Sequence, residues 1–419
     1  MMKISGRMAI SGSDALSLTV EEGLTIRSLR LKFAEALQSE KRRMTTLCLM
    51  KDGQLLADAL SLKAAGLSDG CNVELLQTAG MESILTASND CVARIFSLET
   101  GQCIELQGHF AQVYTCILSP DQRHVVTASE DGSARIWEFL QGSVVEKHLL
   151  NHGSEVYSAV FSHSGNFVVT ASQDHSAAIW QVDTGERLWE FVHRGEVYLA
   201  TFSCDDQLVL TASEDGTARL ISSDDGINCH TLDGHSGRAV NRAEFSPDGK
   251  LIVTASTDAK GCIWERHSGA RTHVLQGCPS DVKHASFSAD SRQVFLTHAT
   301  GVVEVFCAQT GSCQWLLSDH VEPVYLAASC PTGRLVALGS EDARATVWDL
   351  TSGRKLWTLA EHTDAVTWIS WNPADDGTLV TASWDGTVKL WSAESGECLD
   401  TFEDHAGPVI YSEFGTLHL

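Results

Sequence analysis

Thr127-Ala-Ser-Glu-Asp-Gly-Ser-Ala-Arg-Ile-Trp137 is one of eight versions of a single pattern that runs from residue 81 to the end of the 419-residue chain. The others are Thr86 to Phe96, Thr170 to Trp180, Thr211 to Ile221, Thr254 to Trp264, a degraded copy from Leu296 to Phe306, Leu338 to Trp348 and Thr381 to Trp391. Successive first residues are 41, 43, 41, 43, 42, 42 and 43 apart. That period belongs to a four-stranded supersecondary unit repeated around a ring. Within each unit, β-rich runs flank a tight turn, as Val125 to Ser129 and Ala134 to Trp137 flank Asp131-Gly132. Asp-Gly in that setting reads as a two-residue hairpin turn, both residues of which tolerate positive φ. A single unit of this size cannot bury both faces, so copies must stack, and radial stacking leaves only short edges.

The motifs around the turn carry a family resemblance. Gly108-His109 and Gly234-His235 precede the first strand of their units and Trp348-Asp349 ends the third, so the chain resembles WD-repeat β-propellers. The resemblance implies a buried hydrogen-bonded His, Ser, Asp and Trp in each blade. His109, Ser129, Asp131 and Trp137 match it, as do His152, Ser172, Asp174 and Trp180; His235, Ser256, Asp258 and Trp264; His320, Ser340, Asp342 and Trp348; and His362, Ser383, Asp385 and Trp391. The fourth unit has His193, Ser213 and Asp215 with Ile221 for Trp, and the first has Phe96. The sixth has Cys278, His298, Thr300 and Phe306 at the four places and reads as having lost the network, which makes it the softest blade expected. Four residue types repeated around a ring fit a structural device; a catalytic site would occur once.

The first unit, Met81 to Gln107, supplies three strands, and its missing first strand appears at the C-terminus within residues 405–414, from His405 to Phe414. Pairing the two chain ends removes both open edges. The expected fold is mainly β, an eight-bladed propeller over residues 81–419; a seven-bladed ring with the sixth copy looped out is the alternative.

Residues 1–78 are organised differently. Ile4, Met8 and Ile10, then Leu16, Leu18 and Val20, alternate as two strands, and Ile26, Leu29, Phe33, Ala34 and Leu37 form one helical face behind Thr25 as a possible N-cap. Further strands are expected at Leu47 to Leu49 and Val73 to Leu76. This hairpin, helix and strands, with Lys51-Asp-Gly-Gln-Leu55, resemble a small α+β ubiquitin-like (β-grasp) domain. The resemblance places Leu49 and Leu76 at the apolar patch such domains present to partners. The chain continues through Gln77-Thr-Ala-Gly80 into the first blade, which excludes a free conjugating Gly-Gly end.

Charge separates the halves. Residues 1–78 hold 10 Lys/Arg and 9 Asp/Glu, which leaves 20 and 45 of the chain's 30 and 54 for the remainder. So acidic a ring repels phosphate backbones and anionic membranes and attracts basic segments, so neither nucleic acid nor a membrane is expected as a partner. No apolar run approaches the roughly 20 residues of a membrane span, and 13 scattered cysteines without a Cys-x-x-Cys pair fit reduced thiols and a cytoplasmic protein. No phosphate loop, nucleophile elbow or zinc-protease helix is present, and His320-Val-Glu322 lacks the Pro-Cys-x-x-Cys that a zinc deaminase needs. No catalytic residue, metal or cofactor is expected.

The candidate binding surface follows from the tyrosines. Four of five, Tyr114, Tyr157, Tyr198 and Tyr325, directly follow the first strand's Val. In the resembled family this position opens onto the top of the channel, beside the residue two before it and the residue preceding the turn Asp. Those neighbours are Gln112 and Glu130, Glu155 and Gln173, and Glu196 and Glu214, with Glu341 and Trp384 further round. Aromatic faces among carboxylates suit a Lys or Arg side chain. The expected function is therefore a non-enzymatic scaffold or adaptor that binds a basic protein segment on the top face. A ubiquitin-pathway adaptor and a propeller enzyme with carboxylates at the channel mouth are the alternatives.

Overall fold

The computed structural model describes residues 81–140 and 143–417, together with five strands within residues 2–78. The chain divides into two compact units, Met1–Met81 with Thr416–Leu419, and Glu82–Gly415. In the first unit, β1 (Met2–Met8), β2 (Leu16–Val20), β3 (Thr46–Lys51), β4 (Gln54–Leu55) and β5 (Asn72–Thr78) form one sheet in the order β2-β1-β5-β3-β4. β1 runs antiparallel to β2 and parallel to β5. The helix expected behind Thr25 lies outside the described residues.

The second unit is eight four-stranded antiparallel sheets. Blade 1 is the split one: Val409–Leu417 is its innermost strand, followed by Met81–Ser88, Ala93–Ser97 and Cys103–Leu106. Blades 2 to 8 each take four consecutive strands. The degraded sixth copy is a complete sheet from Val282 to Ser318, so the seven-bladed alternative is excluded. Facing sheets bury the core between them. Val126, Ile136 and Leu150 of blade 2 pack with Val156, Phe161 and Trp180 of blade 3, and Ile84, Phe96 and Phe414 of blade 1 with Val380, Val388 and Phe402 of blade 8. Second strands such as His124–Ser129 are buried along their whole length because blades cover both faces, so they read as apolar runs rather than alternating ones.

The turn after the second strand differs from the expected one. Only the residue after the Asp has positive φ, as at Gly132 (84°), while Asp131 accepts the amide of Ser133 at 3.0 Å. Cys91, His175, Ala259 and Ala343 take this left-handed position in four other blades, with φ between 64° and 72°.

An outer belt joins blade to blade. Ring N–H groups on the outermost strands donate to carbonyls of the following blade: His148 to Asp183 (2.9 Å), His230 to His267 (3.0 Å), His273 to Gln309 (3.0 Å), Trp315 to Leu350 (3.1 Å) and Trp357 to Ala393 (3.0 Å). Each ring lies over a positive-φ glycine of that blade; a Cβ on Gly353 would come within 2.5 Å of Trp315.

Candidate functional site

In blade 2, His109 Nδ1 meets Asp131 Oδ2 at 2.8 Å, His109 Nε2 meets Thr127 Oγ1 at 2.7 Å, and Trp137 Nε1 donates to the same hydroxyl at 3.0 Å. The bridging hydroxyl is thus Thr127, not Ser129 as the motif match suggested. Ser129 instead donates to Ala111 O and accepts the amide of Asp131. The same arrangement joins Thr170, Thr254 and Thr381 to the Trp and His of blades 3, 5 and 8. In blade 7 the motif Thr is Leu338, and the hydroxyl comes from its cross-strand partner Thr346, which bonds His320 and Trp348, both at 2.9 Å.

Blade 6 keeps a network of another kind. Leu296 stands opposite Glu304, and the Glu304 carboxylate accepts the amide of Cys278 at 3.0 Å and meets His298 Nε2 at 2.9 Å. His298 Nδ1 bonds Ser280 O, as Ser129 bonds Ala111 O in blade 2. The expectation that this blade has lost its network is corrected. Burial holds His109, His152, His193, His235 and His320 below the ordinary imidazole value, so they are neutral partners. Bonds from His152, Gly153 and Ser176 lower Asp174 to about 2 against the opposing effect of burial.

These networks hold the rim. In every blade from 2 to 8 the innermost strand slips register at its second residue, so one residue has no ladder partner. That residue is Tyr114, Tyr157, Tyr198, Asn241, Lys283, Tyr325 and Thr367 in turn. A bulge re-aims its side chain away from the regular sheet faces, and four of these seven residues are tyrosines. Beside them, backbone bonds of 2.9 Å tie Glu130 to Gln112, Gln173 to Glu155 and Glu214 to Glu196. Glu341 and Trp384 are tied likewise to Pro323 and Ala365.

The structure brings the rim residues together as an arc over blades 2 to 4. Tyr114 and Tyr157 have ring centroids 5.7 Å apart and Tyr157 and Tyr198 5.8 Å. The Tyr114 hydroxyl donates to Glu155 Oε2 at 3.0 Å and that of Tyr157 to Glu196 Oε2 at 2.9 Å, each a carboxylate of the next blade. Across the ring, Tyr325 donates to Glu341 at 2.8 Å and lies 6.3 Å from Trp384, which is 43% exposed. Burial and these carboxylates push the Tyr114, Tyr157 and Tyr325 hydroxyls up, so they remain donors. Glu130, Glu214 and Glu341 are exposed, whereas Gln112, Glu155, Gln173 and Glu196 are half-buried. Leu49 and Leu76 lie on β3 and β5, where Leu49 pairs with Leu75 and Leu76 with Cys48.

Two exposed apolar side chains on the His-bearing loops were not singled out from the sequence, Phe110 at 86% and Val321 at 77% exposure. Each directly follows a network His, a place where the repeat holds no fixed residue type. Among the described residues no group of three or more His, Cys, Asp or Glu could hold a metal ion, and no helix is long and apolar enough to cross a membrane.

Three family models match the chain: one described as outer membrane protein assembly factor BamB over residues 121–359, the anaphase-promoting complex subunit 4 WD40 domain over residues 327–415, and the WD domain, G-beta repeat over residues 101–138. Among similar proteins, Protein Notchless of Drosophila melanogaster is 41% identical over 76 residues, 18% of this chain and 15% of that protein. WD repeat-containing protein RUP2 of Arabidopsis thaliana is 42% identical over 77 residues, 17% of this chain and 20% of its own. Guanine nucleotide-binding protein subunit beta-5b of Danio rerio is 29% identical over 127 residues, 29% of this chain and 32% of its own. The matched stretches cover less than a third of these relatives. The chain belongs to the family whose model, described as outer membrane protein assembly factor BamB, matches more than half of it, and its eight four-stranded blades carry the WD-repeat pattern that the other two models match locally.

Proposed function

We propose that this protein is a non-enzymatic interaction scaffold whose propeller rim binds a basic segment of a protein partner. WD-repeat propellers generally serve as interaction scaffolds. The observation that carries the specific reading is the Tyr114, Tyr157, Tyr198 arc. The Tyr114 and Tyr157 hydroxyls occupy only one oxygen each of Glu155 and Glu196, and the other can accept from a guanidinium or ammonium group lying on the aromatic faces. Cation–π contacts there contribute ~0.5 to 2 kcal/mol each, with charge-assisted hydrogen bonds in addition. Gln112, Glu130, Gln173, Glu214, Tyr325, Glu341 and Trp384 extend this surface around the mouth. The test is capture of a partner from its native source by the full chain and by the double variant Tyr157→Ala, Glu196→Lys. The variant should fold and lose capture; undiminished capture would rule the site out.

A second reading concerns residues 1–78 as a domain separate from the propeller of residues 81–419. The order β2-β1-β5-β3-β4, with β1 parallel to β5, supports a ubiquitin-like domain that docks on a receptor and makes the protein an adaptor of the ubiquitin pathway. Leu49 and Leu76 would be its contacts, and the setting would be cytoplasmic. Retention of the full chain, but not of Leu49→Ala, on immobilised ubiquitin receptors tests it; equal retention or none removes it.

A further inference from the structure

Inside the ring lies a cation that no carboxylate contacts, although Glu244 acts on it through space. Arg242 is the third residue of blade 5's innermost strand, and its guanidinium lies 5.9 Å from the Trp368 ring of blade 8. Those blades are three places apart in the ring, so Arg242 reaches across the channel. Tyr411 of blade 1, with its ring 4.6 Å from Trp368, lies on the far wall and feels the same charge. Arg242 makes no hydrogen bond or ion pair among the described residues, and its buried Nε has no partner. His284, at the same level on blade 6, is 6% exposed, and neither ring nitrogen has a partner.

Glu244 bears on Arg242 electrostatically without pairing with it, and the hydrogen bonds of both nearby acids go to other groups. Glu244, two residues along the strand from Arg242, accepts the amide of Phe287 at 3.3 Å, and Glu413 accepts the Tyr411 hydroxyl at 2.9 Å. Burial pushes both carboxyls up to about 7, so near neutral pH a sizeable fraction of each is protonated. Burial and the Arg242 charge push His284 well below the ordinary imidazole value, which leaves it neutral with one donor and one acceptor nitrogen. A guanidinium fork with unused donors beside an imidazole with unused nitrogens matches an oxyanion, which guanidinium binds through paired N–H bonds.

We propose that Arg242 and His284 form an oxyanion site inside the channel, suited to a carboxylate or sulfate-like group. The group comes either from a free anion or from the carboxyl end of a peptide threaded into the channel. The site shares no residue with the rim arc and does not depend on it.

The test is titration of the full chain at constant ionic strength, observed through the His284 ring signal in an NMR spectrum and assigned with His284→Gln. The probes are sodium sulfate against sodium chloride, and acetyl-triglycine against its C-terminal amide. The expected result is a saturable shift with sulfate or the free-acid peptide and none with chloride or the amide. Binding should strengthen severalfold from pH 8 to pH 6 as Glu244 and Glu413 take up protons. Arg242→Met should abolish the shift, and Arg242→Lys, which keeps the charge without the fork, should weaken binding about tenfold. Response to sulfate alone would assign a free anion; response to the peptide would assign a carboxyl terminus. A His284 signal that does not move in the wild-type protein, or moves equally in Arg242→Met, would overturn the proposal; if neither Arg242 variant folds, the wild-type titration decides. Unchanged sulfate binding in Tyr157→Ala, Glu196→Lys would separate this site from the rim.

Discussion

His405 Nδ1 and Asp90 Oδ2 lie 3.0 Å apart although 315 residues separate them in the chain. The imidazole also meets Thr86 Oγ1 at 2.7 Å through Nε2, so the C-terminal segment brings the network His that residues 81–107 lack. The amide of Asn89 donates to Pro408 O at 2.9 Å beside it. The ring is therefore closed by a buried side-chain network as well as by a strand ladder. His405→Ala should cost ~1 to 3 kcal/mol by leaving Asp90 and Thr86 short of a partner. Deleting residues 405–419 should expose the edge of Met81–Ser88 and promote association, visible by light scattering. A monomeric deletion protein with an unchanged melting temperature would contradict this closure.

Thr381 should matter more than Ser383. Its hydroxyl serves His362 (2.7 Å) and Trp391 (2.8 Å) at once, all three buried. Thr381→Val should therefore destabilise by ~2 to 3 kcal/mol in urea unfolding, because it strands two buried donors or acceptors. Thr211→Val in blade 4, where Ile221 replaces the Trp, should cost less.

The left-handed turn positions give a prediction of opposite sign. Ala343 has φ of 64°, where a Cβ is disfavoured by roughly 1 to 2 kcal/mol, against about 0.5 to 1 kcal/mol of extra chain entropy for glycine. Ala343→Gly should thus raise the melting temperature slightly, while Gly386→Ala, at φ of 85°, should lower it. Equal effects from both substitutions would show that backbone strain does not govern these turns.

Glu413 contributes a pH dependence of defined sign. Its carboxyl ordinarily titrates at 4.5 and is pushed up to about 7 in the fold by burial. A raised folded value means that the stability present below 4.5 is lost as pH rises through 7. Glu413→Gln should match the wild type near pH 4.5, gain on it between pH 4.5 and 7, and exceed it by ~1 to 3 kcal/mol at pH 8. The five depressed histidines act the other way: they favour the fold above 6.5 and withdraw that stability as pH falls. Thermal melts of both proteins from pH 4.5 to 8 separate the two contributions.

The ring, its blade count and its split closure were legible because each rests on repetition: the period, the Asp after the strand, and the His405 segment that matches the openings of other units. The shared repeat position of Tyr114, Tyr157, Tyr198 and Tyr325 was legible for the same reason. Reading Ser129 for Thr127 failed because Thr-Ala-Ser puts two hydroxyls on one face of a strand, and only the register to Trp137 distinguishes them. Blade 6 escaped because its compensating Glu304 sits on the neighbouring strand, opposite Leu296, whereas the hydroxyl was sought at the place of His298. The channel floor escaped because Arg242, His284, Trp368 and Tyr411 occupy one repeat position with no residue type in common, so only the closed ring brings them together.

Calorimetric titration of an Arg- and Lys-containing peptide into the full chain tests the central claim most directly. The account predicts measurable binding that weakens about tenfold between 50 and 300 mM salt, is absent for the same peptide with Glu in place of its basic residues, and is abolished by Tyr157→Ala with Glu196→Lys. Binding of equal strength by that variant, or insensitive to the peptide's charge, would contradict it.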